Sequence, residues 1–315
     1  MIDKVWYHHE MTLTINEVVE LVPAWQGKEV SIEPLSGGLT NSNFKIVVDG
    51  SLFFVSLSGR HSELLGIDWT NKHYNARICG EAGLSPKVVQ HFPEQRVLIL
   101  EFLPLPLGSA ESLRVIAGQR RLVHTLKRLH SGPGFWQEFD MFGLIEFYVA
   151  TIQERGFELP GDYAAYRERI EKIGAALAPY REQLVPCHND LVPENIMDDG
   201  NQVFLLDFDY SGNNDPCFDL GSISVEVGYD DAQVRELAKA YYGFVSEQII
   251  ARIHLHGILG DVGWSLWSVI QAEISDIDFD FPGYGLKRWD RAGEKMASRD
   301  FAGWLRHVRS KKVQE

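Results

Sequence analysis

The sequence predicts an α+β protein of two lobes, a strand-rich first part and a larger, helical second part. Its 315 residues are enough for two lobes of ordinary domain size. Short apolar runs typical of strands continue as far as RVLILEF, residues 96–102, and apolar residues recur at helical spacing after that segment. The change of pattern near residue 103 predicts one lobe over residues 1–103 and the other over residues 104–315.

The first lobe begins with helix and hairpin signals. Thr14 and Glu17 stand at capping-box spacing before a run of apolar residues, which predicts a short helix. Three strands are predicted next, and Asp49 and Gly50 between the last two are typical of a hairpin turn. A second helix is expected over residues 66–81. The three strand segments are VSIEPL, NFKIVV and SLFFVSL.

The second lobe is predicted to be mostly helical. Large apolar side chains recur on one helical face in two segments, at Leu122, Leu126, Leu129, Tyr166, Ile170, Ile173 and Leu177. The longest apolar stretch, residues 253–270, carries Asp261 and two histidines. We therefore expect that stretch to form a buried helix rather than a membrane span.

Charge and cysteine content exclude several classes of protein. The net charge of −14 disfavours a nucleic-acid-binding protein, which needs a broad positive surface along the phosphates. It favours a cationic small molecule as ligand. Three scattered cysteines are too few for a disulfide framework and favour a reducing compartment. Because the first residues lack a signal-peptide pattern, we expect a cytoplasmic protein that binds neither nucleic acid nor membrane.

The residues best suited to chemistry are concentrated in CHNDLVPENIMDDGNQVFLLDFDYS, residues 187–211. Asp190 and Asn195 stand five residues apart, and the apolar run VFLL then leads to Asp207. Carboxylate and amide oxygens suit Mg²⁺, and a remaining aspartate can accept a hydroxyl proton. A single aspartate in a loop more often caps a turn than takes part in catalysis or metal binding. The joint pattern H-x-D-x4-N, followed by a strand that ends at aspartate, predicts a metal and phosphate site.

HNDLVPEN together with LLDFDY resembles the choline and ethanolamine kinase branch of the aminoglycoside-phosphotransferase-like kinases, in particular its bacterial choline kinases. The segments LSGGLTNSNF, EAGLSPKVV, LKRLHSG and GWSLWSVIQAE are also similar to that family, so the resemblance covers most of the chain. It implies a two-lobed protein-kinase-like fold, with a small antiparallel-sheet N-lobe, a larger helical C-lobe and ATP between them. It also implies phosphorylation of the hydroxyl of a small cationic alcohol, choline or ethanolamine.

The resemblance assigns roles to individual residues. Asp190 would orient and deprotonate the acceptor hydroxyl, while Asn195 and Asp207 would hold Mg²⁺. Asp219 would anchor the catalytic loop by accepting backbone hydrogen bonds. Asp209 would either assist the metal or face solvent. The nucleotide would be contacted by the phosphate loop and by the chain after the last N-lobe strand, at Gly37, Gly38, Thr40, Asn41, Asn43, Glu101 and Leu103.

An aromatic pocket for the acceptor is implied around Trp264 and Trp267. Their spacing puts them on one helix face, where two tryptophans more often belong to the core than to a binding site. Because this W-x-x-W falls where choline kinases line their pocket, the resemblance implies that both rings bind the cationic head group. Glu226 and Tyr229 would be further members of the pocket, and Trp289 is a weaker candidate.

Two positions depart from the family pattern. The family places a lysine or arginine on the third strand, often as R-x-x-G, and pairs it with a glutamate on the following helix. Here those positions hold Ser56 and Lys72. One interpretation is a decayed ion pair in a pseudokinase, with Lys72 turned to solvent. The other is that Lys72 reaches the nucleotide from the helix, with Arg60 as the substitute candidate.

Three functions therefore stay open at this point. They are a choline or ethanolamine kinase, a related kinase with an aminoglycoside, thiamine or a sugar as acceptor, and a pseudokinase that binds nucleotide without turnover. The retained Asp190, Asn195 and Asp207 favour activity over the third. The sequence leaves open whether the protein forms a homodimer.

Overall fold

The structure is a computed structural model, and it describes residues 13–59, 61–161, 163–181 and 183–309. The first part of the chain forms a five-stranded antiparallel sheet with two helices, and most of the chain beyond the sheet is helical. The predicted α+β class is therefore confirmed. The last strand of the sheet ends at Glu101. The proposed lobe boundary at residue 103 lies just beyond it.

The sheet has the spatial strand order β1-β2-β3-β5-β4. Its strands are β1 Val30–Leu35, β2 Asn41–Val48, β3 Ser51–Ser58, β4 Val88–Phe92 and β5 Val97–Glu101. The helical part contains two small antiparallel pairs, β6 Val185–Cys187 with β9 Gly212–Asn214, and β7 Ile196–Asp198 with β8 Val203–Leu205. The helices are α1 Ile15–Leu21, α2 Trp69–Glu81, α3 Ala110–Arg114, α4 Ile116–His130, α5 Met141–Arg155, α6 Tyr163–Leu177, α7 Pro216–Val227, α8 Asp231–Tyr242, α9 Glu247–Ile274, α10 Phe281–Ala297 and α11 Phe301–Arg309.

Local signals explain where the first elements begin and turn. Thr14 caps α1 in the predicted capping box. Asp49 and Gly50 both have positive φ, 47° and 82°, as a two-residue hairpin turn requires, and they join β2 to β3. The second helix begins later than the predicted residue 66, because the Asp68 side chain accepts a hydrogen bond from the Asn71 backbone and caps α2 at Trp69.

The two faces of the sheet pack against different helices. Val55 and Leu57 of β3 belong to a core cluster that includes residues of α1. Phe54 points to the other face and packs against a cluster that includes residues of α2. Ser56 alternates with Val55 and Leu57, so it lies on the α2 face, where it is buried. β4, which the sequence did not predict, forms the edge of this sheet.

The helical part is organised around α9, a helix of 28 residues. It contains the apolar stretch 253–270, and the expectation of a buried helix there is confirmed. Asp261 is almost fully buried within it and forms an ion pair with Arg291 of α10. Among the described helices, we find none with both the length and the apolar character needed to cross a membrane. All three cysteines are buried and free.

Candidate active site

The loop that carries Asp190 is anchored by hydrogen bonds to the Asp219 carboxylate of α7. One Asp219 oxygen accepts a hydrogen bond from the His188 backbone at 2.9 Å, and the other accepts one from the Asn189 backbone at 2.7 Å. His130 of α4 holds the same carboxylate at 3.0 Å. The anchoring role predicted for Asp219 is thus visible in its contacts. Asn189 has a positive φ of 66°, and the loop therefore bends sharply just before Asp190.

The side chains predicted to bind metal meet at the end of this loop. The Asn195 amide nitrogen donates to the Asp190 carboxylate at 3.1 Å and to the Asp190 carbonyl at 3.0 Å. Asp207 follows β8, whose Leu205 pairs with Ile196 at the end of the loop. Its positive φ of 57° turns the chain at this point. Two short strands thus bring Asn195 and Asp207 together.

Crowded carboxylates shift the pKa values in the cleft. Burial raises the pKa of Asp190 to about 7, and the charges of Glu226 and Asp209 add to the effect. Burial and Asp209 raise the pKa of Asp207 to about 8, although 35% of its side chain is exposed. Burial also opposes ionisation of Asp209, but Lys72 outweighs it and lowers the pKa of that carboxyl. A further bound cation would relieve the remaining repulsion.

The donor set fits the magnesium ion that the family implies. Carboxylate and amide oxygens are the ligands of such hard cations. Asp207 supplies a partly exposed carboxylate, and Asn195 has its amide nitrogen engaged by Asp190, which leaves its amide oxygen as a ligand. These two side chains would hold the ion next to the loop that Asp219 anchors.

Lys72 points into the site rather than to solvent. Its ammonium contacts Asp209 and lies 3.7 Å from an Asp207 oxygen, and it sits 4.4 Å from the centroid of the Trp69 ring. Asn41 of β2 donates to the second Asp209 oxygen at 2.9 Å. Asp209 is 5% exposed. The alternatives in which Lys72 or Asp209 faces solvent are therefore wrong. Arg60, the substitute candidate, lies outside the described residues.

The predicted phosphate loop connects β1 to β2 and needs both of its glycines. Gly37 has a φ of +106°, which disfavours any side chain. A Cβ on Gly38 would lie 2.5 Å from the Asn41 carbonyl oxygen and 2.6 Å from the Asn43 side-chain nitrogen. Glycine is required at residue 38 because the loop folds back on itself there. Thr40 is part of the same turn, since its carbonyl lies against Gly59 at the end of β3.

Glu101 and Leu103, which are predicted to contact the nucleotide, lie where the chain leaves the sheet. Glu101 ends β5 and its backbone N–H donates to the Lys87 carbonyl at 2.9 Å. Leu103 comes two residues later, and its carbonyl accepts a hydrogen bond from Leu105. Both residues therefore lie on the connection between the sheet and the helical part, at the proposed lobe boundary.

The two tryptophans of α9 lie in a wall of aromatic rings. The Trp264 ring lies 4.7 Å from the ring of Tyr210, the residue directly after Asp209. Trp267 contacts Phe281 and Tyr284 of α10 at 5.8 and 5.9 Å between ring centroids. The aromatic wall, formed by Tyr210, Trp264, Trp267, Phe281 and Tyr284, therefore begins beside the predicted metal-binding segment, residues 207–209, and continues along α9 and α10.

Glu226 of α7 forms ion pairs with two arginines of α10. Its carboxylate pairs with Arg288 at 2.8 Å and with Arg291 at 3.2 Å. Arg291 also pairs with Asp261. Neither these arginines nor Tyr284, whose ring centroid lies 3.5 Å from the Arg288 guanidinium, was predicted from the sequence. The spacing Y-x-x-x-R in α10 could have indicated that Tyr284 and Arg288 share a helix face.

Two other aromatic candidates lie elsewhere. The Tyr229 hydroxyl donates to the Leu113 carbonyl of α3 at 2.6 Å, so this side chain is directed towards α3. Trp289 stacks on Tyr166 of α6, with 4.3 Å between ring centroids, and belongs to the core around α9. Trp264 and Trp267 are 6% and 5% exposed and belong to the same core cluster as Trp289, and Trp264 reaches the candidate site through its contact with Tyr210. Tyr229 and Trp289 have packing roles.

Comparison with known proteins gives consistent matches. Residues 32–239 match the choline/ethanolamine kinase family. Protein LicA of Haemophilus influenzae is 26% identical over 273 residues, which cover 81% of this chain and 77% of LicA. A crystal structure of a choline/ethanolamine kinase family protein from Mesorhizobium loti has a TM-score of 0.80 at 28% identity, covering 94% of this chain and 98% of that one.

Solved structures of LicA extend the likeness to a nucleotide complex. The choline kinase LicA from Streptococcus pneumoniae has a TM-score of 0.76 at 26% identity, covering 90% of this chain and 98% of that one. A structure of LicA in complex with AMP has a TM-score of 0.75. These likenesses confirm the predicted protein-kinase-like fold, and the family match spans about two thirds of the sequence. The chain belongs to the choline/ethanolamine kinase family.

Proposed function

We propose that this chain transfers the γ-phosphoryl group of ATP to the hydroxyl of choline or ethanolamine, with Mg²⁺ as the metal. One observation carries the proposal. Asp190 lies on the loop that Asp219 anchors, accepts a hydrogen bond from Asn195 at 3.1 Å, and is joined through Asn195 to the hairpin that leads to Asp207. A base in this position can meet an acceptor hydroxyl on one side and a phosphoryl group on the other.

In the proposed mechanism, Asp190 positions the acceptor hydroxyl and takes its proton as the oxygen attacks the γ-phosphorus. The oxygen–phosphorus bond forms as the bond to the leaving ADP breaks. Asn195 steadies the Asp190 carboxylate through its amide N–H. Asp207 and the Asn195 amide oxygen would hold Mg²⁺, which supplies positive charge to the phosphate oxygens. The backbone from Gly37 to Asn43 would cover those phosphates.

Recognition of the acceptor is proposed to rest on aromatic faces. Choline presents a quaternary ammonium, for which each desolvated contact with a tryptophan ring contributes about 0.5 to 2 kcal/mol. The charges beneath the wall balance locally, because Glu226 and Asp261 face the guanidinium groups of Arg288 and Arg291. Trp264 and Trp267 then provide the attraction that the paired carboxylates do not.

A panel of acceptors tests the proposal. ADP release is measured with choline, ethanolamine, an aminoglycoside, thiamine and a sugar, and we expect turnover with choline or ethanolamine at the highest kcat/KM. The matched control is the neutral choline isostere with carbon in place of nitrogen, which should be a poorer substrate by about tenfold, or 1.4 kcal/mol. Preference for another acceptor class would contradict the assignment, and binding of ATP with no turnover of any acceptor would favour the pseudokinase.

The remaining expectations are proposals with simple measurements. Limited proteolysis near residue 103 tests the division into residues 1–103 and 104–315. Sedimentation velocity distinguishes a monomer from a homodimer. Cell fractionation tests the cytoplasmic location, and a nucleic-acid or vesicle binding assay should give no retention.

A further inference from the structure

We propose that Lys72 is the resident cation of the metal-binding segment, where it holds Asp209 as its counter-ion and leaves Asp207 and Asn195 to bind a single divalent ion. The inference rests on the nucleotide and metal part of the proposed function, and it is independent of the acceptor. It assigns Lys72 a positioning role towards the metal.

The contacts of Asp209 leave little of it for a metal ion. Its two carboxylate oxygens face two different donors, the Lys72 ammonium and the Asn41 amide nitrogen. The side chains of Lys72 and Asp209 are 3% and 4% exposed, whereas the side chain of Asp207 is 35% exposed. Of the two aspartates in this segment, only Asp207 is therefore open to an ion that arrives from the cleft.

The position of Lys72 also disfavours a second divalent ion. Its ammonium is 3.7 Å from an Asp207 oxygen and in contact with Asp209. It therefore occupies the space between the two carboxylates. A divalent ion shared by both aspartates would have to displace this ammonium or lie beside it. Repulsion between two cations at such a separation is strong in a site with little water.

The departures at Ser56 and Lys72 fit one arrangement. Ser56 lies on the face of β3 that packs against α2, and its small side chain leaves space where the family carries a long cation. Lys72 comes from α2 itself and is held by the Trp69 ring one turn earlier on that helix. The positive charge is thus kept between Asp207 and Asp209, but it is delivered from the helix and bound to an aspartate.

Counting bound Mn²⁺ tests the inference. Free Mn²⁺ is measured by electron paramagnetic resonance during titration of the protein with a non-hydrolysable ATP analogue present. We expect one Mn²⁺ per wild-type chain and two per Lys72→Met chain, in which Asp209 becomes available. Lys172→Met, which removes an exposed lysine of α6, is the matched control and should keep one. A lysine that only supported folding would not change the count.

Lys72→Met leaves buried carboxylates without their cation, and the variant could fail to fold for that reason. A second variant keeps the inference testable in that case. Lys72→Met combined with Asp209→Asn removes the pair as a unit, and it should bind one Mn²⁺ within about fivefold of the wild-type affinity. Two Mn²⁺ per wild-type chain, an unchanged count of one in folded Lys72→Met, or a tenfold loss of Mn²⁺ affinity in the double variant would each overturn the inference.

The Mn²⁺ counts need no acceptor, so the role of Lys72 and the proposed acceptor can be refuted independently. A chain that binds one Mn²⁺ but ignores choline and ethanolamine contradicts only the proposed acceptor. A chain that phosphorylates choline while binding two Mn²⁺ contradicts only the role of Lys72.

Discussion

Replacing Asp190 with asparagine isolates the proton-accepting role proposed for this residue. Asparagine has nearly the same shape, and its side-chain oxygen can still accept the hydrogen bond that Asn195 donates at 3.1 Å. The amide cannot take a proton from the acceptor hydroxyl. We therefore expect kcat with choline to fall by at least about 10², the usual effect of losing a general base. That factor corresponds to about 2.7 kcal/mol in the activation barrier.

The pH dependence of the same pair of proteins gives a second readout. A base must be deprotonated to act, so kcat/KM of the wild type should rise with pH through the pKa of Asp190, which burial raises to about 7. Below that pH the carboxyl is protonated and activity falls. In Asp190→Asn the residual kcat/KM should lack this acid limb, because the titrating group is gone.

A coupled assay of ADP release between pH 5.5 and 8.5 measures both effects, and binding of a non-hydrolysable ATP analogue shows whether the nucleotide site survives. Asp290→Asn, which alters an exposed aspartate of α10, is the control and should match the wild type. The assignment of the base is refuted if Asp190→Asn keeps more than a tenth of wild-type kcat, or if its acid limb persists.

Three further changes test other parts of the site. Glu226→Gln removes a negative charge that raises the pKa of Asp190, so the acid limb of kcat/KM should move to lower pH. Gly38→Ala puts a Cβ 2.5 Å from the Asn41 carbonyl and should raise the KM for ATP about tenfold. Asp219→Asn should lower the free energy of unfolding at pH 7 by about 1 to 3 kcal/mol, since asparagine cannot accept all the hydrogen bonds of the carboxylate.

The stability effect at Asp219 has a definite pH dependence. Burial opposes its ionisation, but His130 and the backbone donors lower its pKa in the folded state. The carboxylate therefore contributes stability above about pH 4, its unfolded pKa, and loses it as pH falls through the lower folded value. The difference between wild type and Asp219→Asn in urea unfolding should shrink at acid pH. A difference that grows on acidification would contradict this reasoning.

Matched controls accompany these variants. Gly161→Ala adds a methyl group at an exposed glycine with nothing within 4 Å of the new Cβ, and it should leave the KM for ATP unchanged. Glu236→Gln alters an exposed glutamate of α8 and should not move the acid limb. If Gly161→Ala and Gly38→Ala behave alike, the predicted clash in the phosphate loop is not the cause of the effect.

The sequence predicted the features that depend on local signals. The cap at Thr14 and the hairpin at Asp49 arise from rules that involve only neighbouring residues. The meeting of Asn195 and Asp207 was predictable for the same reason, because one short hairpin joins them. β4 was missed because VVQHF lies at an edge of the sheet, and its pairing with β5 is set by the whole sheet.

Contacts between distant segments could not be read from the chain. Glu226 has an arginine partner 62 residues later, on a helix that the sequence analysis did not describe. Tyr229 was predicted to line the pocket, but its position after α7 directs its hydroxyl to the Leu113 carbonyl, 116 residues earlier. In both cases helix packing decides where the side chain points, and no local pattern reports that packing.

The paired charges beneath the aromatic wall change the physical account of how a cationic acceptor is selected. The net charge of −14 first favoured a cation on electrostatic grounds. Charges spread over the surface are largely screened beyond about 10 Å at 0.1 M salt, so they act on encounter more than on selection. Glu226, whose ion-pair partner Arg288 lies against the Tyr284 ring of the wall, is already shared by two guanidinium groups. In the proposed function, discrimination between choline and a neutral isostere would then come from short-range contacts with the aromatic faces assigned to Trp264 and Trp267, which salt screens far less.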